Sequence, residues 1–148
     1  MLFRSRGFHA QHLESLRDAL ALCDAAEFTG WIPRQDLYDL YARASAFIYP
    51  STFEGFGMPV LEAMAAGIPT GCSNIEPLAG IAGPAALRFP PDSIKAIVDA
   101  LDLLTCDHEL RQSLAAAGPL RAAQFTWDQT ARDTLAAIRL AAGRSAAG

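Results

Sequence analysis

Ala46-Phe-Ile-Tyr-Pro-Ser-Thr-Phe-Glu-Gly-Phe-Gly-Met-Pro-Val-Leu-Glu-Ala-Met-Ala-Ala-Gly-Ile-Pro69 decides how the rest of the chain is read. Ala46 to Tyr49 is a continuous apolar run of strand length, and Pro50 to Gly57 is rich in turn formers. Pro59 is suited to a helix's first turn, and Gly67 marks its end. Ile68 to Cys72 reads as the next strand. A strand, a glycine-bearing loop, a helix and a second strand make one unit of a parallel sheet covered by helices. In such sheets ligands gather at the carboxyl ends of strands, which places chemistry in the loop after Tyr49.

The same alternation extends in both directions. Upstream, Leu13, Leu16, Leu20 and Cys23 recur at three- and four-residue steps and predict a core-facing helix over residues 11–23. A short strand over 25–29 and a helix over 34–44, with Leu37, Leu40, Tyr41 and Ala44 on one face, follow. Downstream, residues 74–84 read as a loop or short helix, 87–89 as a strand and 92–104 as a helix. Asp107 and Thr126 are suited to cap two further helices, ending near Ala122 and Ala142. With no internal repeat and no linker, residues 1–148 are expected to form a single domain of α/β class.

Composition narrows the function. The 148 residues are 51% hydrophobic and 19% charged, with a net charge of −4 and no basic cluster beyond Arg4 and Arg6, so no footprint for nucleic acid is present. Cys23, Cys72 and Cys106 are too scattered for a disulfide framework or a zinc site. No apolar run reaches the ~18 to 20 residues of a membrane span, and no signal peptide opens the chain. A cytoplasmic location is expected.

Within the quoted stretch, Glu54 falls on the loop and Glu62 on the helix. Gly55 and Gly57 let backbone approach a ligand, and the first-turn N–H groups near Gly57, Met58 and Val60 provide partial positive charge for a phosphate or hydroxyl. The bland alternatives are a solvated loop acid for Glu54 and a salt-bridged surface acid for Glu62. Phe53, Phe56, Trp31 and Trp127 are assigned to packing, with only the backbone of Phe56 expected to meet a ligand. His9 and His12 are three apart on a helix, but a third metal ligand is lacking.

Phe28-Thr-Gly-Trp-Ile-Pro33 together with Tyr49 to Pro69 resembles the family-4 retaining glycosyltransferases (glycosyl transferases group 1). Ser73-Asn74, Ala82-Gly83, Ala85-Ala86-Leu87 and Phe125-Thr-Trp127 follow in the family's order. The resemblance implies the C-terminal, donor-binding half of the two-domain GT-B architecture, a Rossmann-like parallel sheet with flanking helices. It implies transfer of a sugar from a nucleotide-diphosphate donor, such as GDP-mannose or a UDP-sugar, to a carbohydrate or lipid-linked acceptor with retention.

Carried over by position, Glu54 is the catalytic-site acid and contacts donor-sugar hydroxyls. Gly55, Phe56, Gly57 and Met58 line the sugar and diphosphate, and Glu62 holds the ribose hydroxyls. The chemistry is consistent, because a carboxylate accepts paired hydroxyl bonds and charge-assisted bonds are roughly twice as strong as neutral ones. Neither a metal nor a cofactor is implied.

The chain also departs from the family. The arginine and lysine that face the leaving diphosphate lie upstream of the Phe-Thr-Gly segment, and Arg4, Arg6 and Arg17 have the wrong spacing for them. Gly80 and Pro84 stand where acids are usual. Residues 1–8 match no family element and are expected to be artefactual, and the N-terminal acceptor domain is expected to lie outside these residues. The chain is therefore expected to be inactive alone, and in a full-length protein to be cytoplasmic or peripheral at the inner membrane. The alternatives are a non-catalytic sugar-nucleotide-binding module or subunit partner, and, more weakly, a sugar-nucleotide epimerase, against which the Glu-Gly-Phe-Gly string argues.

Overall fold

The computed structural model describes residues 2–3 and 10–145. The chain forms two compact units, Met1–Arg43 and Ala44–Gly148.

In the first unit, β1 (Leu2–Phe3) pairs in parallel with β2 (Glu27–Phe28), and α1 (Ala10–Ala19) lies between them in sequence. Glu27-Phe28 falls inside the expected strand, but β1 falls where no element was expected. α2 (Arg34–Arg43) follows the expected pattern: Tyr41 is buried, with Leu37 and Leu40 partly so. α1 does not face a core as expected, because Leu13, Leu16 and Leu20 are 40 to 59% exposed. Three- and four-residue spacing aligns side chains on one face but does not supply a surface to cover them.

The second unit is a parallel sheet of order β3-β4-β5, formed by Phe47–Tyr49, Thr70–Ser73 and Leu87–Phe89. Phe47 opposes Thr70 and Tyr49 opposes Cys72, while Gly71 opposes Leu87 and Ser73 opposes Phe89. Parallel pairing brings the ends of the three strands, Tyr49, Ser73 and Phe89, to one edge of the sheet. Helix α3 (Met58–Ala65) connects β3 to β4. Helix α4 (Leu78–Ala82) and a 3₁₀ turn over Gly83–Ala85 connect β4 to β5. Three further helices follow: α5 (Ile94–Cys106), α6 (His108–Ala122) and α7 (Trp127–Ser145).

The central strand β4 is buried throughout, so its polar groups are satisfied internally. The Thr70 hydroxyl donates to the Ile68 carbonyl at 2.7 Å, and that of Ser73 to the Tyr49 carbonyl at 3.4 Å. Gly71 permits close packing of α5, since a Cβ there would lie 2.8 Å from Leu104 Cδ1. Burial also pushes the Cys72 thiol up to about 11, against a smaller opposing effect of Arg88. Val60, Met64, Leu78 and Ala82 form the core with Cys72.

Local chemistry sets the helix limits. α3 ends in a reciprocal C-terminal cap: Gly67, at φ +70°, donates to the Met64 carbonyl, and Ile68 donates to that of Ala63. Asp107 caps α6 by accepting from Leu110 N at 3.0 Å, and Thr126 caps α7 by accepting from Gln129 N at 3.1 Å, as their positions predict. Gly118 allows α6 to approach the backbone of α3, because a Cβ there would lie 2.8 Å from the Met64 carbonyl oxygen. α7 is exposed along 127–142.

Three assignments of aromatic residues to packing are corrected by these environments. Trp31 and Trp127 are 83% and 82% exposed, and Phe53 is 84% exposed. Phe53 sits on a loop tip, Trp31 beside a glycine turn and Trp127 at the start of an uncovered helix, so none has a surface to pack on.

Candidate functional site

The segment Pro50–Gly57 leaves the carboxyl end of β3 and runs directly into α3. Its first part is tied by Ser51, whose hydroxyl donates to the Phe53 carbonyl at 2.8 Å. Glu54 follows, partly buried, and accepts a short hydrogen bond from the Tyr49 hydroxyl. Tyr49 is itself fixed at the strand end, stacked on Phe47 with ring centroids 6.1 Å apart. Desolvation, reinforced by the Glu54 carboxylate, pushes the Tyr49 phenol up to about 12. It therefore remains a neutral donor at physiological pH, aligned on one carboxylate oxygen.

Sequence reading singled out Glu54 but not Tyr49. The signal was available: a tyrosine at the last position of an apolar strand, five residues before an acid, can turn its hydroxyl toward the loop.

The glycines play different parts. Gly57, at φ +104°, is the N-cap of α3, and a Cβ there would collide with Leu78 Cδ2 at 2.3 Å, so the fold itself requires it. Nothing lies within 4 Å of a Cβ built on Gly55, so packing within the chain does not demand a glycine there. The Gly57 carbonyl accepts from Val60 N at 3.0 Å and Leu61 N at 3.3 Å, and Gly57 provides no side-chain cap. Helix α3 thus begins four residues after Glu54, its positive end uncapped by a side chain.

Glu62, one turn into α3, is partly buried and lines an open groove of about 360 Å³ with Met58, Leu61, Pro119 and Phe125. Phe56 reaches this neighbourhood as well, meeting Phe125 edge-on at 6.3 Å. Met58 belongs both to the groove and to the first turn of α3. One element, the loop and its helix, therefore carries all the expected site residues: Glu54 to Gly57 on the approach, and Met58 and Glu62 along the groove.

Arg121 braces the surrounding structure. Its guanidinium donates to the Ile81 carbonyl at 2.9 Å and the Gly80 carbonyl at 2.6 Å, and also to Gln124. It lies 4.9 Å from the Phe125 ring centre. The segment around Gly80, read from the sequence as a departure from the resembled family, is thus a short helix whose carbonyls are held by a cation. Its Gly80 N–H donates to Glu76 Oε2 at 3.2 Å.

The other residues singled out from the sequence have local surroundings of their own. His12 is exposed, and His9 lies outside the described residues. Among the described residues no cluster of three or more His, Cys, Asp or Glu is arranged to hold a metal, and no helix is long and apolar enough to cross a membrane. Arg17 is engaged locally, bonded to Asp18 at 2.8 Å and lying over the Phe28 ring at 5.7 Å.

Comparison with known proteins bears on the family and the fold. The family model described as glycosyl transferases group 1 matches residues 7–121. The O-antigen chain mannosyltransferase B of Escherichia coli is 39% identical over 113 residues, covering 76% of this chain and 30% of that protein. The D-inositol 3-phosphate glycosyltransferase of Kribbella flavida is 33% identical over 141 residues, covering 94% of this chain and 33% of that protein. The chain thus spans about a third of the length of these relatives. Among solved structures, sucrose-phosphate synthase from Thermosynechococcus elongatus superposes with a TM-score of 0.80 at 28% identity, over 95% of this chain and 36% of that one. The C-terminal domain of a group 1 glycosyl transferase from Francisella tularensis gives a TM-score of 0.69 at 26% identity, over 77% of this chain and 60% of that one. With its parallel sheet, its Glu54–Glu62 segment and a family match over most of its length, the chain belongs to the glycosyl transferases group 1 family and has the fold of a GT-B C-terminal domain.

Proposed function

We propose that this chain carries the donor site of a retaining hexosyltransferase and binds a nucleotide-diphosphate sugar along the loop and first turns of α3. The observation that carries this reading is the placement of Glu54 and Glu62 on either side of an uncapped helix start that follows the carboxyl end of a parallel strand. Glu54, aligned by Tyr49, accepts from hydroxyls of the donor sugar, and Glu62 accepts from the ribose. The backbone from Gly55 to Met58 lies against the diphosphate, with the open side of Gly55 admitting the ligand. Partial positive charge at the helix start favours the anion, and the reading calls for neither a metal nor a cofactor.

GDP-mannose is the first donor to test, because mannosyltransferases are among the relatives, and UDP-sugars are the second. The acceptor, a carbohydrate or a lipid-linked one, is assigned to sequence outside the region shared with these relatives. This chain alone then binds donor without transferring it. The reading retains a cytoplasmic location, peripheral to the inner membrane in a longer protein.

The test is calorimetric titration of the chain with GDP-mannose, UDP-glucose and the free diphosphates. Saturable binding is expected, weakened about 10- to 100-fold by Glu62→Ala, the scale set by loss of ~1.5 to 3 kcal/mol in hydrogen bonds to a charged group. Glu54→Gln should weaken the sugar nucleotide while sparing the free diphosphate. Unchanged nucleotide affinity in Glu62→Ala would place the donor elsewhere.

A further inference from the structure

The groove that Glu62 and Met58 line from α3 is also lined by Pro119, Ala122 and Phe125 at the end of α6, and among the described residues lining it none is cationic. Arg121 sits in that same helix turn and would be the obvious charge for a bound diphosphate, yet each of its three nitrogens already donates within the chain. Nε donates to the Ile81 carbonyl at 2.9 Å, Nη2 to the Gly80 carbonyl at 2.6 Å and Nη1 to the Gln124 side chain. Gly83, at φ +55°, lies directly beneath, since a Cβ there would be 3.4 Å from Nε. With every nitrogen engaged, the planar guanidinium is held in one orientation.

What the guanidinium does meet is Phe125, whose ring centre lies 4.9 Å from Cζ, within cation–π range. Phe125 is set in the turn that follows α6, its N–H donating to the Ala122 carbonyl at 3.0 Å. Its ring in turn meets that of Phe56 edge-on at 6.3 Å, and Phe56 stands between Glu54 and Gly57 in the loop. The next residue, Gly57, faces Leu78, whose Cδ2 would lie 2.3 Å from a Cβ built there. Leu78 opens α4, the same short helix whose Gly80 and Ile81 carbonyls Arg121 holds. Two successive loop residues are therefore touched from outside the loop, Phe56 by Phe125 and Gly57 by Leu78, and Arg121 ties the two contacts together.

We propose that Arg121 is a positioning residue for the donor loop, acting through Phe125 on Phe56 and not through its charge on the ligand. The proposal rests on the donor reading of that loop and deepens it. The diphosphate is met by backbone N–H groups of a loop held in place, and the cation beside the groove serves to hold it. A planar fork that joins two carbonyls and an aromatic ring is then what the position needs, and a point charge does not replace it.

The experiment titrates the whole chain with GDP-mannose by calorimetry and compares it with Arg121→Lys, Arg121→Met and Phe125→Leu. Each variant is expected to bind about three- to tenfold more weakly, the scale of one aromatic or cation–π contact. The dependence of affinity on chloride concentration should be the same in Arg121→Met as in the parent chain, since no charge facing the ligand is removed. Arg121→Met in a Phe125→Leu background should weaken binding by less than about twofold more, whereas independent roles would make the two losses add. In the ¹⁵N-labelled free chain, the amide signals of Gly55 to Met58 should move in all three variants. Phe125→Leu keeps the bonds of Arg121 to Gly80 and Ile81, so it decides the matter if an Arg121 variant fails to fold. Affinity retained in Arg121→Lys, or a flattened salt dependence in Arg121→Met, would overturn the proposal in favour of direct contact with the diphosphate. Unmoved loop amides would overturn the coupling itself. A parent chain that binds no sugar nucleotide would instead overturn the donor reading, while the loop amides still decide the coupling.

Discussion

Helices α1 and α3 are both apolar enough to be read as core helices, yet they have opposite fates. In α3, Val60, Ala63 and Met64 are fully buried between the sheet and α6, whereas in α1 the stripe of Leu13, Leu16 and Leu20 remains exposed. The difference lies in what surrounds each helix. α3 connects two paired strands and meets a partner helix whose Gly118 removes the last obstacle to contact. α1 belongs to a unit with only two short strands among the described residues. An apolar stripe is a demand for cover, and topology decides whether the demand is met.

That contrast can be broken most forcefully at Gly118. Valine there would press its Cβ into the α3 backbone, which cannot give way as a flexible side chain would. We expect Gly118→Val to cost about 4 kcal/mol or more and to abolish the cooperative unfolding transition followed by circular dichroism. Met64→Ala tests the same contact from the other side. Its side chain is fully buried, and a loss of about 3 kcal/mol in chemical denaturation is expected. A loss below about 1 kcal/mol would mean that α3 is held less firmly than its burial implies.

Tyr49 sharpens the comparison through pH. Its phenol is pushed up to about 12 by desolvation and by Glu54, so the folded state holds this proton more tightly than the unfolded chain, whose tyrosines ionise near ~10. The resulting stability is fully present below about pH 10 and is lost as the pH rises toward about 12. Denaturation midpoints should fall over that window, and the Tyr49→Phe chain should show a shallower fall. At the small end, Leu16→Ser in α1 should change stability by no more than about 1 kcal/mol, since Leu16 is already 46% exposed. A cost of 2 kcal/mol would show that α1 is covered in solution.

Much of this was legible in the sequence because it rests on local chemistry. Glycine and proline at 57, 59 and 67 marked the limits of α3, and Asp107 and Thr126 marked two helix starts by their capping groups. Leu87–Phe89 was read as the strand it forms. The candidate site was legible to the same degree, since its acids and glycines lie on one continuous segment. What escaped were facts of distance and cover. The bond from Tyr49 to Glu54 depends on how the loop folds back, and the clamp of Arg121 on Gly80 and Ile81 joins residues some forty positions apart. The exposure of Trp31, Trp127 and Phe53 follows from missing neighbours, which residue type cannot announce.

The empty surroundings of Gly55 have a practical consequence. Its φ lies outside the left-handed range and no atom stands within 4 Å of where a side chain would begin, so a cysteine should be accommodated there without disturbing the fold. An environment-sensitive dye attached at that position would project from the loop between Glu54 and the start of α3. Under the proposed function the dye and a sugar nucleotide would contend for the same open side of the loop, so the labelled chain is expected to bind donor more weakly, and unchanged donor affinity would count against that reading.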